Sequence, residues 1–217
     1  MNWTYWRWVP WIDTRAKFVA GIPRNGKLLD LGSSDGGTLS HFAELRPDLA
    51  LYSADLAGSP SNYPPGTEFR RADFEKDPLP WADRMFDAVT FMHVIEHLNG
   101  SAHILSEAAR VLKPGGSLYI ETPHPKSLDT PSAHGAATGK VTINFFDDPT
   151  HITPIPIEQL TTLARAAGLK PVKSGTSRNL LFTAIYPFMA AARMTSRKRF
   201  IAKLHWMGWS SYVIAHR

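Results

Sequence analysis

The 217-residue chain contains no cysteine. Disulfides, thiolate metal sites and cysteine nucleophiles are excluded together, and the usage fits a reducing compartment. Nor is there an uncharged apolar run of the ~20 residues that spanning a bilayer requires. The opening MNWTYWRWVPWIDTR has no apolar stretch followed by a small-residue cleavage site, so it does not read as a secretory leader. The expectation is a soluble, cytoplasmic protein. A third lack is local, because no acidic residue follows Glu158. Up to that point 14 Lys and Arg stand against 19 Asp and Glu, a net of −5, whereas Gln159 to Arg217 holds 10 Lys and Arg, a net of +10. Such a field suits phosphates, anionic lipid or nucleic acid, although a solvated basic surface is the commoner use of a charge run.

Hydrophobic content of 43% and charged content of 20% are ordinary globular proportions, and the length suffices for one sizeable core. Apolar runs alternate with helical patterns, which predicts an α/β fold with a doubly wound, seven-stranded mixed sheet and helices on both faces. The runs at 27–32, 49–55, 68–73, 86–92 and 117–123 read as the first five strands, and those near 169–176 and 210–217 as closing strands. Helices are expected from Gly37 to about Arg46, from Ser101 (as N-cap) to the turn KPGG, and across IPIEQLTTLARAAG. Residues 124–149 read as a long polar loop, of a length uncommon in compact domains unless it covers a site. Residues 1–25 are expected to form a lid or cap on the main domain, 26–217, which carries a basic, apolar, helix-prone insertion at about 180–208.

LLDLGSSDGG places Asp30, Gly32, Ser33, Ser34, Asp35, Gly36 and Gly37 at a strand-to-helix turn. Glycine and serine there allow a ligand close to the backbone, and helix N-terminal amides favour a carboxylate or phosphate. Asp55 ends the next strand, where a carboxylate can accept two ribose hydroxyls. Asp73-Phe74 follows the third. FDAVTFMHVIEHL then sets His93, Glu96 and His97 where a buried strand runs out.

In these residues, over roughly Lys27 to Ala167, the sequence resembles the class I S-adenosylmethionine-dependent methyltransferases. The family's acidic-x-Gly-x-Gly-x-Gly signature appears as Asp30 to Gly36, with Ser34 in place of the middle glycine. The LKPGG and EHL segments resemble methyltransferases rather than dinucleotide-binding dehydrogenases. The resemblance implies S-adenosylmethionine as cofactor, with its methionine end at Gly32, Ser33, Ser34 and Gly36. It puts the ribose at Asp55 beside Leu56, and the adenine amino group at Asp73 with Phe74 against the ring. Asp30 and His93 complete the expected cofactor-binding set.

Positions three and four apart share a helical face, so His93, Glu96 and His97 are expected to converge beside the transferable methyl group. A hydroxyl acceptor must lose a proton, which calls for a base or a metal. In one reading His93, Glu96, His97 and His151, from DDPTHITP, bind a divalent ion. The segment is similar to the Glu-x-x-Glu-His of small-RNA 3′-end 2′-O-methyltransferases and of ubiquinone-pathway O-methyltransferases, with His93 in place of the first Glu. Three imidazoles and a carboxylate suit zinc, manganese or iron better than magnesium. In a second reading no metal is bound and His97 or His151 is the general base. In a third, Glu96 and His97 only orient the loop and cofactor. His124 is expected to stiffen a loop between two prolines, and Asp147 and Asp148 to support a ligating histidine or simply to cap a solvated loop.

The expected activity is methylation of a hydroxyl on a small metabolite or glycan, since EHL, ETPHP and DPTHITP resemble bacterial methyltransferases of polysaccharide and secondary-metabolite pathways. The alternatives are a 2′-O-methyltransferase acting on RNA and a non-catalytic cofactor-binding or membrane-associated protein. Four Trp fall in the first eleven residues and two more in FIAKLHWMGW. The N-terminal group is expected to fold into the lid, and the C-terminal insertion to contact a membrane surface or a lipid-linked substrate.

Overall fold

The computed structural model describes residues 3–130, 144–192 and 197–217. Its strands are β1 (Lys27–Leu31), β2 (Ala50–Asp55), β3 (Glu68–Arg71), β4 (Phe86–Met92), β5 (Leu112–Pro123), β6 (Lys170–Ser177) and β7 (Ser210–His216). They form one sheet in the order β3-β2-β1-β4-β5-β7-β6. The first five pair in parallel and β7 runs antiparallel to both β5 and β6. The predicted seven-stranded mixed sheet is therefore the observed one.

The sheet is covered on both faces because the buried strands are apolar on both. From β1 and β4, Leu29, Leu31, Val89 and Phe91 join one core cluster, with α3 (Ser101–Val111) and α4 (Ile157–Ala166) supplying Ile104, Leu105, Leu160 and Ala164. Leu28 and Ala88 turn to the other cluster, where α1 (Thr14–Ala20) and α2 (Gly37–Leu45) contribute Val19, Leu39 and Phe42. Alternating strand residues thus feed two layers.

Several boundaries differ from the sequence reading for local reasons. KPGG does not merely close α3. It lies inside β5, where pairing jumps from Phe86↔Leu112 to Ala88↔Ser117, so the extra residues are absorbed as an irregularity in the strand. Gly100 rather than Ser101 is the N-cap of α3. The expected loop 124–149 contains two short 3-10 turns, Pro125–Asp129 and Phe145–Asp147; its residues 131–143 lie outside the described residues.

The N-terminal segment divides in two. Trp3 stacks on His41 at 4.9 Å and Trp6 is buried, both as part of the core over α2. Trp8 and Trp11 are exposed, so the expectation that the segment buries its tryptophans holds for two of the four. The apolar, basic insertion is a helical hairpin, α5 (Leu180–Ala191) and α6 (Arg197–Met207), between β6 and β7; its residues 193–196 lie outside the described residues. Among the described residues no helix is long and apolar enough to cross a membrane.

Candidate active site at the carboxyl edge of the sheet

In an open parallel sheet a ligand site forms beyond the carboxyl ends of the strands, where the strand order reverses. Here that point is between β1 and β4. The loop after β1 is fixed by backbone geometry. Gly32 has φ +75° and Gly36, the N-cap of α2, has φ +74°; Ser34 between them is also left-handed at φ +46°. A Cβ on Gly32 would meet Val94 Cγ2 at 2.1 Å, and one on Gly36 would meet the Asn62 carbonyl at 2.3 Å. These glycines are required by the turn and by protein neighbours.

The two acids expected to meet the cofactor follow on the neighbouring strands. Asp55 Oδ2 accepts from the Ser34 amide at 2.8 Å, so the carboxylate at the end of β2 also shapes the loop after β1. Its Oδ1 accepts from Ala57 at 2.9 Å. Each oxygen keeps a second lone pair for a hydroxyl. Asp73 accepts from Glu75 and from Lys76 Nζ at 3.0 Å, and the lysine holds its carboxyl below the ordinary range. At about 4.8 Å per strand, Gly32, Asp55 and Asp73 span roughly 10 Å, the reach of an adenosine. Phe74 is buried edge-on against Phe91, 6.1 Å between ring centroids, and belongs to the core. The ring expected against the adenine is thus packed into the core. Leu56 is 54% exposed next to Asp55 and is the apolar surface available there.

Asp30 and Ser33 support this loop from below. Asp30 is buried and accepts from Thr90 Oγ1 at 2.6 Å; burial pushes its carboxyl up to about 7 despite that bond. Ser33 Oγ lies 2.5 Å from Ser53 Oγ and donates to Tyr63 Oη at 3.0 Å.

Across the switch point the site is built from side chains. His93 leaves β4 with φ +54°, and Ile95–His97 is a 3-10 turn. The helical-face argument for 93, 96 and 97 therefore fails, and a different geometry unites part of the set. The Glu96 carbonyl accepts from Ile152 at 2.8 Å, which draws the segment carrying His151 over the turn. Glu96, His97 and His151 then each offer one ligand atom, all within 4.8 Å of one another.

The two imidazoles are oriented alike. His151 Nδ1–H donates to the Phe145 carbonyl at 2.6 Å, leaving Nε2 with its lone pair 3.9 Å from Glu96 Oε1 and 4.0 Å from Asp148 Oδ2. His97 Nδ1–H donates to the Thr150 carbonyl at 3.2 Å, with Thr150 Oγ1 at 2.9 Å and that hydroxyl committed to Asp148. A carbonyl on Nδ1 presents Nε2 as a base or a metal ligand. Glu96 is completely buried; Thr122 Oγ1 donates to its Oε2 at 3.0 Å, which leaves Oε1 facing the histidines. Asp147 is spent on the capping box with Asn144, and His124 Nδ1 accepts from Lys126 within its own turn.

His93 does not complete this group. Its Nδ1 is 3.3 Å from Glu96 Oε1 and its Nε2 is 3.3 Å from Glu121 Oε1. Burial opposes its charge, but Glu121 and Glu96 overcome that and hold the imidazole at about 9. Its ring is engaged by these two carboxylates, and the donors that come within 4.8 Å of one another among the described residues are those of Glu96, His97 and His151.

The sequence reading missed Arg15 and Glu121. Glu121 is fully buried near the end of β5, paired bidentately with Arg15 at 2.5 and 3.0 Å and accepting from Tyr119 Oη at 2.5 Å. Burial would raise its carboxyl, but Arg15 and His93 hold it well below the usual range. A lone carboxylate inside the apolar run SLYIETP was the available signal. A cavity of about 470 Å³ that includes Asp87 and Lys113 lies at the opposite ends of the strands and contains none of these residues.

Comparison with known proteins adds independent information. The family model described as a methyltransferase domain matches residues 5–174. The ubiquinone/menaquinone biosynthesis C-methyltransferase UbiE of Desulfotalea psychrophila is 29% identical over 120 residues, 52% of this chain and 48% of that protein. The 27-O-demethylrifamycin SV methyltransferase of Amycolatopsis mediterranei is 28% identical over 97 residues, 43% of this chain and 32% of that one. The match thus spans about half or less of these relatives' length. The crystal structure of an S-adenosylmethionine-dependent methyltransferase from Mesorhizobium loti superposes with a TM-score of 0.65 at 16% identity, covering 94% of this chain and 97% of that one, a likeness of fold.

Proposed function

The chain belongs to the methyltransferase-domain family, and from that premise we propose that it transfers the methyl group of S-adenosylmethionine to a hydroxyl of a small metabolite or glycan, assisted by a divalent cation. The observation that carries this reading is the convergence of Glu96, His97 and His151 within 4.8 Å, beside a loop suited to the cofactor.

The cofactor half fits its ligand in spacing and chemistry. Asp55 accepts the ribose hydroxyls, Leu56 offers an apolar face to the base, and Asp73 accepts from the adenine amino group. The methionine end lies along the Gly32–Gly36 loop, which directs the sulfonium methyl toward the strand ends of β4 and β5. In the reaction a carbon–oxygen bond forms as the sulfur–carbon bond breaks in line, S-adenosylhomocysteine leaves, and the acceptor's proton must go elsewhere.

The side-chain half supports a proton-losing acceptor. Two imidazoles and one carboxylate are a donor set known for catalytic zinc with an open position, and they also suit manganese or iron. Glu96, His97 and His151 would hold such a cation, and Asp148 Oδ2 lies 4.0 Å from the His151 Nε2 that would bind it. A bound cation would acidify a coordinated hydroxyl. Thr122, Thr150 and Phe145 keep the three donors aimed at one point. His93, whose ring lies between Glu96 and Glu121, acts as a positioning residue for these carboxylates.

The names of the two relatives divide between carbon and oxygen acceptors, so the acceptor is argued from the cluster. The test pairs elemental analysis with methyl transfer to a panel of hydroxyl compounds before and after chelation. The expected result is a bound metal, activity lost on chelation and restored by metal, and no retained metal in His151→Ala. Metal-free protein with chelator-insensitive turnover would transfer the proton-accepting role to His97 or His151 alone.

A further inference from the structure

The α5–α6 hairpin takes no part in the site just described, yet its surface is unusual. α5 reads LLFTAIYPFMAA and contains no charged residue. Its exposed positions are Leu180, Leu181, Ala184, Pro187, Phe188 and Ala191, a stripe at helical spacing in which every member is apolar. Phe188 is 77% exposed. A helix on a protein in water normally turns its polar face outward; this one turns apolar groups both inward and outward.

α6 is its complement. Lys198 is exposed and Arg199 and Lys203 are half-exposed, while Trp206 is exposed at the far end and meets Tyr186 of α5 at 5.9 Å between ring centroids. The hairpin is rigidly rooted. The Asn179 side chain accepts from the Phe182 amide at the start of α5, its own amide N–H donates to His205 Nδ1 at 3.0 Å, and Phe182 stacks on His205 at 5.7 Å. The N-terminal segment joins this root through the Asp13↔Asn179 bridge, and Trp11, two residues before it, is exposed.

We propose that the α5–α6 hairpin is a docking surface for an anionic lipid bilayer. Apolar side chains beside Lys198, Arg199 and Lys203, bordered by Trp206, match the acyl boundary, the headgroup charge and the interfacial layer respectively. α5 is too short to cross a membrane, so it lies in the interface with its exposed stripe inserted. A second copy of the chain is a poorer occupant. A two-fold contact would bring basic α6 against itself, and from Gln159 to Arg217 there is no acidic residue to answer it. The inference does not depend on the proposed chemistry, since vesicle binding requires no turnover.

The experiment is co-sedimentation of the full chain with phosphatidylcholine vesicles, with and without phosphatidylglycerol, at low and high salt. Binding is expected to vesicles containing phosphatidylglycerol and to weaken with salt. Leu181→Glu and Phe188→Glu should each weaken it about tenfold or more, the value of burying one large apolar side chain. Lys198→Glu with Lys203→Glu should remove the preference for the anionic lipid. All four positions face solvent wholly or in part, so circular dichroism and S-adenosylmethionine binding should be unchanged in these variants. Absence of binding to either vesicle, equal binding to both, or a dimer seen by light scattering that Phe188→Glu dissociates would each overturn the proposal.

Discussion

Along the carboxyl edge of the sheet the site changes material between β1 and β4. From Gly32 to Asp73 it is made of backbone: left-handed residues at 32, 34 and 36, a helix N-terminus, and carboxylates that accept from loop amides as much as they face a ligand. From His93 to His151 it is made of side chains, drawn from the end of β4, the end of β5 and the loop before α4. The difference sets how each half fails. A backbone site has no spare atom to remove and is broken by adding one. A side-chain site is dismantled one functional group at a time, with the fold intact unless a buried charge loses its partner.

The largest effect expected from breaking the comparison is Gly32→Ala. The new Cβ would lie 2.1 Å from Val94 Cγ2 at φ +75°, so clash adds to a backbone strain of about 1–3 kcal/mol. Calorimetry should show S-adenosylmethionine binding lost and the melting temperature lowered. The double variant Gly32→Ala, Val94→Ala removes the clash and leaves the strain, so it should recover only part of both. Full recovery would mean that packing alone, not the left-handed turn, requires glycine.

Glu96→Gln tests the other half. The amide keeps the shape and the Thr122 bond but removes the charge from the group with His97 and His151. Turnover should fall about 10²–10⁴-fold, the usual worth of a positioned acid–base or ligand group, while cofactor affinity stays within a few-fold. Loss of cofactor binding with unchanged turnover per bound cofactor would mean that the two halves have been assigned the wrong way round.

How much of each half was legible follows from the same contrast. The backbone half announces itself locally, because glycines, serines and the acids at 30, 55 and 73 sit at the ends of consecutive apolar runs. The strands were readable for a related reason: FDAVTFM and KLLDL are buried on both faces and so nearly continuous in apolar residues. The side-chain half depends on contacts between distant residues. Arg15 meets Glu121 across 106 positions, and nothing near TRAKFVA marks that arginine as a partner in the site. His93 misled because 93, 96 and 97 have helical spacing, while the chain turns left-handed at 93 and passes into a 3-10 turn. His151 was found because a lone histidine in DDPTHITP precedes a helix. Its orientation by the Phe145 carbonyl required the fold.

A smaller effect sharpens the boundary between the halves. Arg15 rises from α1 to the buried Glu121, so the N-terminal segment is tied to the strand ends by a charge pair. Arg15→Ala leaves Glu121 with His93 as its remaining cation. Removing one partner of a buried pair costs about 3–5 kcal/mol; the Arg15 side chain is 31% exposed, so solvent screening reduces the loss expected in urea unfolding to about 2–3 kcal/mol. The Glu121→Gln, Arg15→Met double variant should recover most of that loss. If Arg15→Ala is neutral, solvent replaces the guanidinium and the segment is not anchored by charge.

The smallest effect concerns Asp30, which lies under the backbone half and is the one acid of the signature that is fully enclosed. Burial pushes its carboxyl to about 7 in the folded protein, against ~3.9 in an unfolded chain. Between those values the folded state holds a proton that the unfolded state has released, so stability falls as pH rises through the window, and the loss is complete above the folded value. Asparagine keeps the acceptor for Thr90 Oγ1 and does not titrate. Cofactor-free wild type should therefore lose about 1–2 kcal/mol relative to Asp30→Asn between about pH 5.5 and pH 7.5 in paired urea melts. Parallel curves would show that Asp30 ionises freely in the folded state, and that the loop above it is open enough to hydrate a carboxylate.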